Sequence, residues 1–406
     1  MNRPSTCLVL IAALLSPAST AAAVPPALLK ATIKGATCQG KLVAQDDEFC
    51  WLMGRDGRLE RLEIDRIEKI EVEAPLFRSY SPAESRDLLR REYGKQFDVV
   101  GTEHYLICAS PVDASKYARV FEEIYRSVYL YFSRRGFRIS EPEFPLIAVV
   151  FPSQAEFVQQ CRRDAVRGGP GLLGYYHPDS NRVALFDTGV SKTADTGTRS
   201  LTEGLFSKTF GRPAGEQAGT QLFGLGSPAR DAAAARPHAG EIDADLSDTI
   251  VHEAAHQVAF NTGLHSRIGP NPKWIVEGLA TAFEVPAMHN SVATDTAKDR
   301  INQGRFTWFT NFAQTRRRPK SLADFVAQDQ MFASAGQDAY AQGWALTFFL
   351  LETRAGKFTR YLQRIAAREP LSPCSAEERV ADFRNAFGND LDQIEVEFLR
   401  FMERLK

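Results

Sequence analysis

The amino-acid sequence predicts an α+β protein in which a small, β-barrel-like module of SH3 size precedes a larger domain with an α+β upper part and a helical lower part. Three observations support this prediction. Polar and apolar residues alternate between glycine-rich turns over residues 31–74. Strand-like and helix-like segments alternate over residues 75–187, and helical periodicity prevails over residues 247–406.

The composition is that of an ordinary globular protein. Of the 406 residues, 44% are hydrophobic and 24% are charged. The formal net charge of -1 does not indicate nucleic-acid binding, so no nucleic-acid partner is expected. The basic run "RRRPK" at 316–320 is interpreted as a solvated turn.

The N-terminus has the pattern of a secretory signal peptide. Arg3 precedes a short apolar run, and small residues ending in an A-x-A pattern follow, which predicts a signal peptide over residues 1–23 and a secreted or periplasmic protein. No apolar run is long enough to span a membrane. Cys38 and Cys50 flank a hairpin-like stretch of an exported chain, so a disulfide between them is predicted. The other cysteines of the mature chain, Cys108, Cys161 and Cys374, are expected to be buried thiols.

Each element of the first half has its own signal. A helix over 81–94 begins with a capping box of Ser81 and Glu84. Apolar patterns then predict a strand over 97–110, an amphipathic helix over 113–136, a buried strand over 144–151, a short helix over 153–165, and a hairpin over 171–187 around "PDSN".

The second half divides into an irregular segment and a helical subdomain. Residues 188–246 are rich in Gly, Ala, Ser, Thr and Pro, which predicts a flexible surface insertion. A helical subdomain is placed at residues 247–406. Its periodic segments are 248–261, 272–285, 297–315, 321–329, 337–354, 356–367, 375–387 and 389–405.

One helix carries a metal-binding pattern, "TIVHEAAHQVAF" at 249–260. His252 and His256 are four residues apart, so they share a helix face with Cβ atoms about 5–6 Å apart. Both imidazoles can therefore reach one zinc ion. Glu253 lies beside them, where its carboxylate can hydrogen-bond a water on an open zinc position.

The third ligand is expected in the next helix, "NPKWIVEGLATAFEVP". A metzincin would need glycine and histidine where Ala259 and Thr262 stand, so that class is excluded. Glu277 lies in an apolar setting in this helix and is the predicted third ligand. Thr281 and Glu284 follow on the same face, where they can hydrogen-bond the ligands.

Five segments together resemble a known family. They are "GTEHYLICAS", "GYYHPDSNRVALFD", "HEAAHQVAFNTGL", "WIVEGLATAFE" and "YAQGWALTFFL". In this order they resemble the gluzincin metallopeptidases, the thermolysin-like peptidase MA clan, and in detail an uncharacterised secreted bacterial family of that clan, over roughly 97–406. The resemblance implies a gluzincin-type catalytic domain, zinc ligands His252, His256 and Glu277, and a general base, Glu253. This sequence departs from the pattern at Thr281, where thermolysin-like enzymes usually have an aspartate.

One tyrosine and three histidines outside the two motifs are further candidates for functional residues. Tyr340 could stabilise the oxyanion of a tetrahedral intermediate, as tyrosines do in similar enzymes, or it could be a core residue. His265 and His289 are interpreted as surface histidines, and His104 as a packed or edge residue.

The preferred function is a secreted zinc metallopeptidase that acts on peptides or proteins. One alternative is a zinc amidase that acts on cell-wall or other non-peptide amides. The other is a secreted binding protein with a structural or inactive metal site, whose N-terminal β-module binds an unknown partner.

Overall fold

A computed structural model describes residues 25–111, 113–169, 171–187, 244–289 and 296–406. The predicted signal peptide and almost all of the predicted insertion lie outside these residues, so both stay predictions. Within the described ranges, two β-sheets come first and a helical region follows, which confirms the predicted α+β class.

The N-terminal module is an antiparallel sheet of five strands. They are β1 (Leu28–Ile33), β2 (Ala36–Gln45), β3 (Phe49–Met53), β4 (Leu59–Glu63) and β5 (Lys69–Ala74), in the order β4-β3-β2-β1-β5. Leu29, Ala31 and Leu52 lie in its core. Since no pairing joins β4 to β5 in the described chain, the sheet is open, and the expected barrel-like closure is not present.

The predicted Cys38–Cys50 disulfide is wrong, because both thiols are free. The strand register explains this result. Cys38 pairs with Ala31 on β1, whereas Cys50 pairs with Gln45 and Leu62 at the other side of the ladder. The two cysteines flank a short stretch of sequence but do not face each other across the sheet.

The second sheet is mixed. Its strands are β6 (Asp98–Gly101), β7 (Tyr105–Ala109), β8 (Leu146–Phe151), β9 (Gly174–His177) and β10 (Arg182–Phe186), in the order β6-β7-β8-β10-β9. The three central strands are parallel, and both edge strands are antiparallel to their neighbours. The hairpin over 171–187 is confirmed, and it places β9 at one edge.

The single strand predicted over 97–110 is two strands, β6 and β7, joined by a tight turn. The Thr102 N–H donates to the Tyr105 carbonyl at 2.9 Å, which closes the turn. The Glu122 carboxylate stabilises it further, by accepting from the Thr102 hydroxyl at 2.7 Å. A polar contact from a distant helix therefore divides an apolar run that would otherwise favour one strand.

Among the described residues, three helices precede the helical region: α1 (Pro82–Tyr93), α2 (Ala114–Ser133) and α3 (Gln154–Arg163). The predicted capping box of Ser81 and Glu84 begins α1. Leu89 of α1 and Phe157 of α3 pack with Leu106 on one face of the second sheet. Helix α2 packs on the other face, which is continuous with the core of the helical region.

The helical region contains the following helices in the described residues: α4 (Ala244–Asn261), α5 (Lys273–Phe283), α6 (Pro286–His289), α7 (Gln303–Thr315), α8 (Leu322–Ala327), α9 (Gln330–Ser334), α10 (Gly336–Ala366), α11 (Ala376–Phe387) and α12 (Leu391–Glu403). The two helices predicted over 337–354 and 356–367 are the two halves of α10, which meet at the non-helical residue Arg354 (φ -143°, ψ 35°). A search of the described helices for one able to cross a membrane was negative.

Helices α5 and α10 approach each other closely at Gly278. A Cβ atom added there would lie 2.3 Å from the Thr347 hydroxyl oxygen and 2.4 Å from the Gly343 carbonyl oxygen. Only glycine therefore allows this contact. Helix α4 packs between α2 and α5, so the helix with the histidine pair and the helix with Glu277 lie side by side in the core.

Candidate metal centre

The three predicted metal ligands converge inside the core. His252 and His256 of α4 and Glu277 of α5 are each 1% exposed. The two Nε2 atoms are 2.9 Å apart, and each lies 3.5 Å from Glu277 Oε2. A tetrahedral zinc ion with ligands at 2.0–2.1 Å separates its ligand atoms by about 3.3 Å. The observed distances bracket this value, so these residues could hold a metal ion.

The electrostatics of the cluster favour a positive charge. Burial would raise the pKa of Glu277, but its contacts with His252 and His256 outweigh burial and hold that pKa well below its usual range. Burial would likewise lower the pKa of His252, whereas contacts with Glu277 and Glu284 raise it to about 10. A buried carboxylate requires a cation or several hydrogen bonds. A divalent metal ion would meet that requirement.

His252 is oriented by Glu284, at the end of α5. The His252 Nδ1 atom lies 2.7 Å from Glu284 Oε1, and the Asn302 side chain donates to Glu284 Oε2 at 2.8 Å. The Thr281 hydroxyl instead donates to the Glu277 carbonyl of its own helix at 2.7 Å. Of the two residues that the sequence suggested, the Glu284 side chain contacts a possible ligand, whereas the Thr281 hydroxyl bonds to the backbone of its own helix.

Glu253 lies beside the ligands and is fully buried. Its Oε2 atom accepts a hydrogen bond from the backbone N–H of Tyr176, on edge strand β9, at 2.6 Å. Its Oε1 atom has no hydrogen-bond partner among the described residues. Burial raises the pKa of this carboxyl to about 7, against the opposing effect of His252. A carboxyl group of this kind can take up and release a proton near neutral pH.

Tyr340 also lies at the cluster. It is 7% exposed, and its hydroxyl hydrogen-bonds Glu277. Burial and the charge of Glu277 raise its pKa well above the usual range, so the hydroxyl keeps its proton. The Arg305 guanidinium lies 5.5 Å from the centre of the ring. Tyr340 is thus a core residue whose hydroxyl lies at the cluster of possible metal ligands.

Two of the other histidines, His265 and His104, are not among the possible ligands of this centre. His265, expected at the surface, is 3% exposed, because the chain folds back after α4 and packs its ring against Phe260 at 5.2 Å. Burial lowers its pKa to about 3, so the imidazole is neutral. His104 is packed as expected, stacked on Tyr125 at 3.8 Å. The expectation for the His289 side chain lies outside the described residues.

A second group of possible ligands, Glu103, His104 and Glu122, lies at the β6–β7 turn. The Arg126 guanidinium pairs with both carboxylates at 3.1 Å. His104 Nδ1 lies 2.8 Å from Glu122. The carboxylates of Glu103 and Glu122 are therefore already paired with a positive charge. A metal ion would have to displace the Arg126 guanidinium to bind there.

Two partners in the centre could not be predicted from the sequence. The Tyr176 N–H is a backbone group, and only the position of β9 gives it a role. Asn302 caps α7 and also holds Glu284, but its residue type alone indicates no more than a helix start. The segment "GYYHPDSNRVALFD", which belongs to the resemblance, was the one signal that pointed to the region of Tyr176.

Part of the chain is similar to one described protein family. Residues 247–372 match the model of a family described as a protein of unknown function (DUF1570). This range contains the three possible ligands, Glu253 and Tyr340. A search of curated proteins gave no match. The chain is therefore similar, over about a third of its length, to an uncharacterised family whose shared region carries the candidate metal centre.

Proposed function

We propose that this protein is an exported, zinc-dependent metallopeptidase of the gluzincin type. The observation that supports this most strongly is the convergence of His252, His256 and Glu277 beside the unpartnered carboxylate oxygen of Glu253. Two imidazoles and one carboxylate, with a further position left for water or substrate, are a common ligand set for catalytic zinc. Export rests on the predicted signal peptide of residues 1–23.

Zinc, when bound, supplies a Lewis acid that polarises a carbonyl group and makes water a stronger acid. Glu253 accepts a proton from the attacking water on Oε1, while the Tyr176 N–H holds Oε2 in place. The same carboxyl then gives the proton to the leaving amine. Its pKa of about 7 suits both steps near neutral pH.

Tyr340 supports this chemistry as a proton donor that stays protonated. Its hydroxyl lies at Glu277, beside the ligand atoms, and can hydrogen-bond the negative charge that develops on the carbonyl oxygen. We therefore expect Tyr340→Phe to lower kcat by about 10²-fold with a small change in KM, since the contact forms in the transition state. An unchanged kcat in Tyr340→Phe would show that Tyr340 only packs in the core.

The proposal is tested with purified mature protein, zinc and a peptide library whose fragments are identified by mass spectrometry. Glu253→Gln preserves shape but cannot accept a proton, so hydrolysis should fall by at least about 10²-fold while zinc stays bound. His252→Ala and Glu277→Ala should each lose zinc, measured by elemental analysis, because each removes one of three ligands.

Three outcomes would contradict the proposal in different ways. Undiminished hydrolysis by Glu253→Gln would show that the chemistry lies elsewhere. Cleavage of non-peptide amides, but of no peptide, would identify an amidase. Stoichiometric zinc with no hydrolysis of either class of amide would leave a binding protein with a structural metal.

A further inference from the structure

A groove between the second half of α10 and the end of α11 is strongly basic. Its volume is about 790 Å³. It shares no residue with the metal centre, and none of the described residues that line it is an aspartate or a glutamate. The polar lining residues are Lys357, Arg360, Arg364, Arg384, Asn385 and Asn389. Because the whole chain carries a net charge of only -1, this concentration of positive charge is local.

The helix register brings the cations together. Lys357, Arg360 and Arg364 follow each other at spacings of three and four, so they lie on one face of α10 over roughly 10 Å. Arg384, in the last turn of α11, lines the same groove. Like charges at this spacing destabilise a helix slightly. Arg364 lies in the last turn of α10, where a cation interacts favourably with the helix dipole, but Lys357 and Arg360 precede that turn and have no such role.

The chain neutralises only part of this charge. The Arg364 Nε atom donates to Asp382 at 2.7 Å, and Asp382 also pairs with Arg368. In the described part of the chain, Lys357, Arg360 and Arg384 form no ion pair. Three exposed cations thus share one groove, and no described residue supplies a counter-charge to them.

The floor of the groove excludes some classes of ligand. Tyr361 is 1% exposed, and its ring packs on Trp274 and Phe383. No other aromatic residue of the described chain lines the groove, so a nucleobase would find no ring on which to stack. The volume is that of a small-molecule site rather than of a track for a polymer.

We propose that this groove binds a small ligand with phosphate groups. An arginine guanidinium can donate two parallel hydrogen bonds to two oxygens of one phosphate, and a lysine ammonium adds a compact positive charge. The carboxamides of Asn385 and Asn389 supply neutral donors beside them. The phosphate can belong to a soluble ester or to a lipid headgroup, because both present the same oxygens.

The experiment compares two double variants of equal charge. Arg360→Gln with Arg384→Gln removes two cations of the groove. Arg400→Gln with Arg404→Gln removes two exposed cations that do not line the groove, one in α12 and one directly after it. Fructose 1,6-bisphosphate is titrated calorimetrically, and vesicles of phosphatidylglycerol in phosphatidylcholine are tested by co-sedimentation against pure phosphatidylcholine. Phosphate also ligates zinc, so all proteins are compared at equal zinc content.

The groove variant should bind the bisphosphate or the anionic vesicles at least about tenfold more weakly than wild type. The control variant should keep wild-type affinity, and binding should weaken as salt rises. If the groove variant binds the bisphosphate more weakly, the ligand is a soluble phosphate ester. If only its binding to anionic vesicles is weaker, the ligand is a lipid headgroup. Equal affinity of the two variants, or binding of neither probe, would overturn the proposal. Tighter binding of an oligonucleotide through the same arginines would also overturn it. The measurement is of binding, so it is independent of the proposed hydrolysis.

Discussion

At the scale of single residues, one carboxylate orients His252, one of the three possible metal ligands. Glu284 lies 2.7 Å from His252 Nδ1 and is itself held by Asn302. Such a contact selects which imidazole nitrogen faces the metal and increases the basicity of the ligand. The hydroxyl of Thr281, four residues after Glu277, donates to the Glu277 carbonyl of its own helix. The two residues therefore make different contributions, although both lie on the same helix face.

We predict that Glu284→Ala weakens zinc affinity by about 10–100-fold, because His252 loses the acceptor for its second nitrogen. Thr281→Ala is the matched control and should change the affinity by less than about threefold, since it removes no contact to a ligand. Competition against a fluorescent zinc chelator measures both values. A greater loss in Thr281→Ala than in Glu284→Ala would show that the orienting residue has been assigned wrongly.

At the scale of elements, the contact of α5 with α10 positions Glu277 and Tyr340 together. Glu277 precedes Gly278, the residue at which the two helices touch, and Tyr340 lies on α10 one turn before Gly343. A side chain at position 278 would meet the backbone of Gly343, which cannot move without moving the helix. The close approach of these helices is therefore a condition for the metal centre.

We predict that Gly278→Ala lowers the free energy of unfolding by about 1–3 kcal/mol, because the added methyl group overpacks the contact. It should also weaken zinc binding, since α5 carries Glu277. The control is Gly356→Ala, on an exposed part of α10, where the nearest atom to an added Cβ is 3.9 Å away. That change should be stabilising by up to about 1 kcal/mol. Urea unfolding measures both. A Gly278→Ala protein as stable as wild type would contradict the proposed tight contact.

At the scale of the whole molecule, Arg267 connects three parts of the fold. It follows α4, is 8% exposed, and donates to the Gly57 carbonyl at 2.7 Å and to the Pro178 carbonyl at 3.0 Å. Gly57 belongs to the N-terminal module, and Pro178 to the β9–β10 turn. Ile268 adds an apolar contact with Leu59. The module is thus joined to the hairpin whose strand β9 contacts Glu253.

We predict that Arg267→Met lowers the free energy of unfolding by about 1–3 kcal/mol, because it leaves buried carbonyl oxygens without donors. Cleavage by protease in the connection of residues 75–81 should also increase as the module loosens. Arg66→Gln removes an exposed ion pair of the same module and should stay within about 0.5 kcal/mol of wild type. Equal proteolysis and stability of the two variants would show that Arg267 does not hold the module.

The local structure of this protein could be predicted from its sequence alone. Helix period, capping residues and apolar runs identified most helices and strands, because each of these signals lies within one element. The spacing of His252, Glu253 and His256 likewise follows from helix geometry alone. Glu277 was identified because a buried carboxylate in an apolar helix requires a partner.

Contacts between groups that are distant in sequence could not be predicted, because they depend on how the elements pack. The Tyr176 N–H reaches Glu253 across 77 residues, and Glu284 reaches His252 across 32. The basic run at 316–320 was interpreted as a solvated turn, yet Arg317 is buried against Glu395 of α12, 78 residues away. The disulfide prediction failed because strand register, not sequence distance, determines which cysteines face each other. Such contacts depend on how elements pack, and no signal within a single element encodes that arrangement.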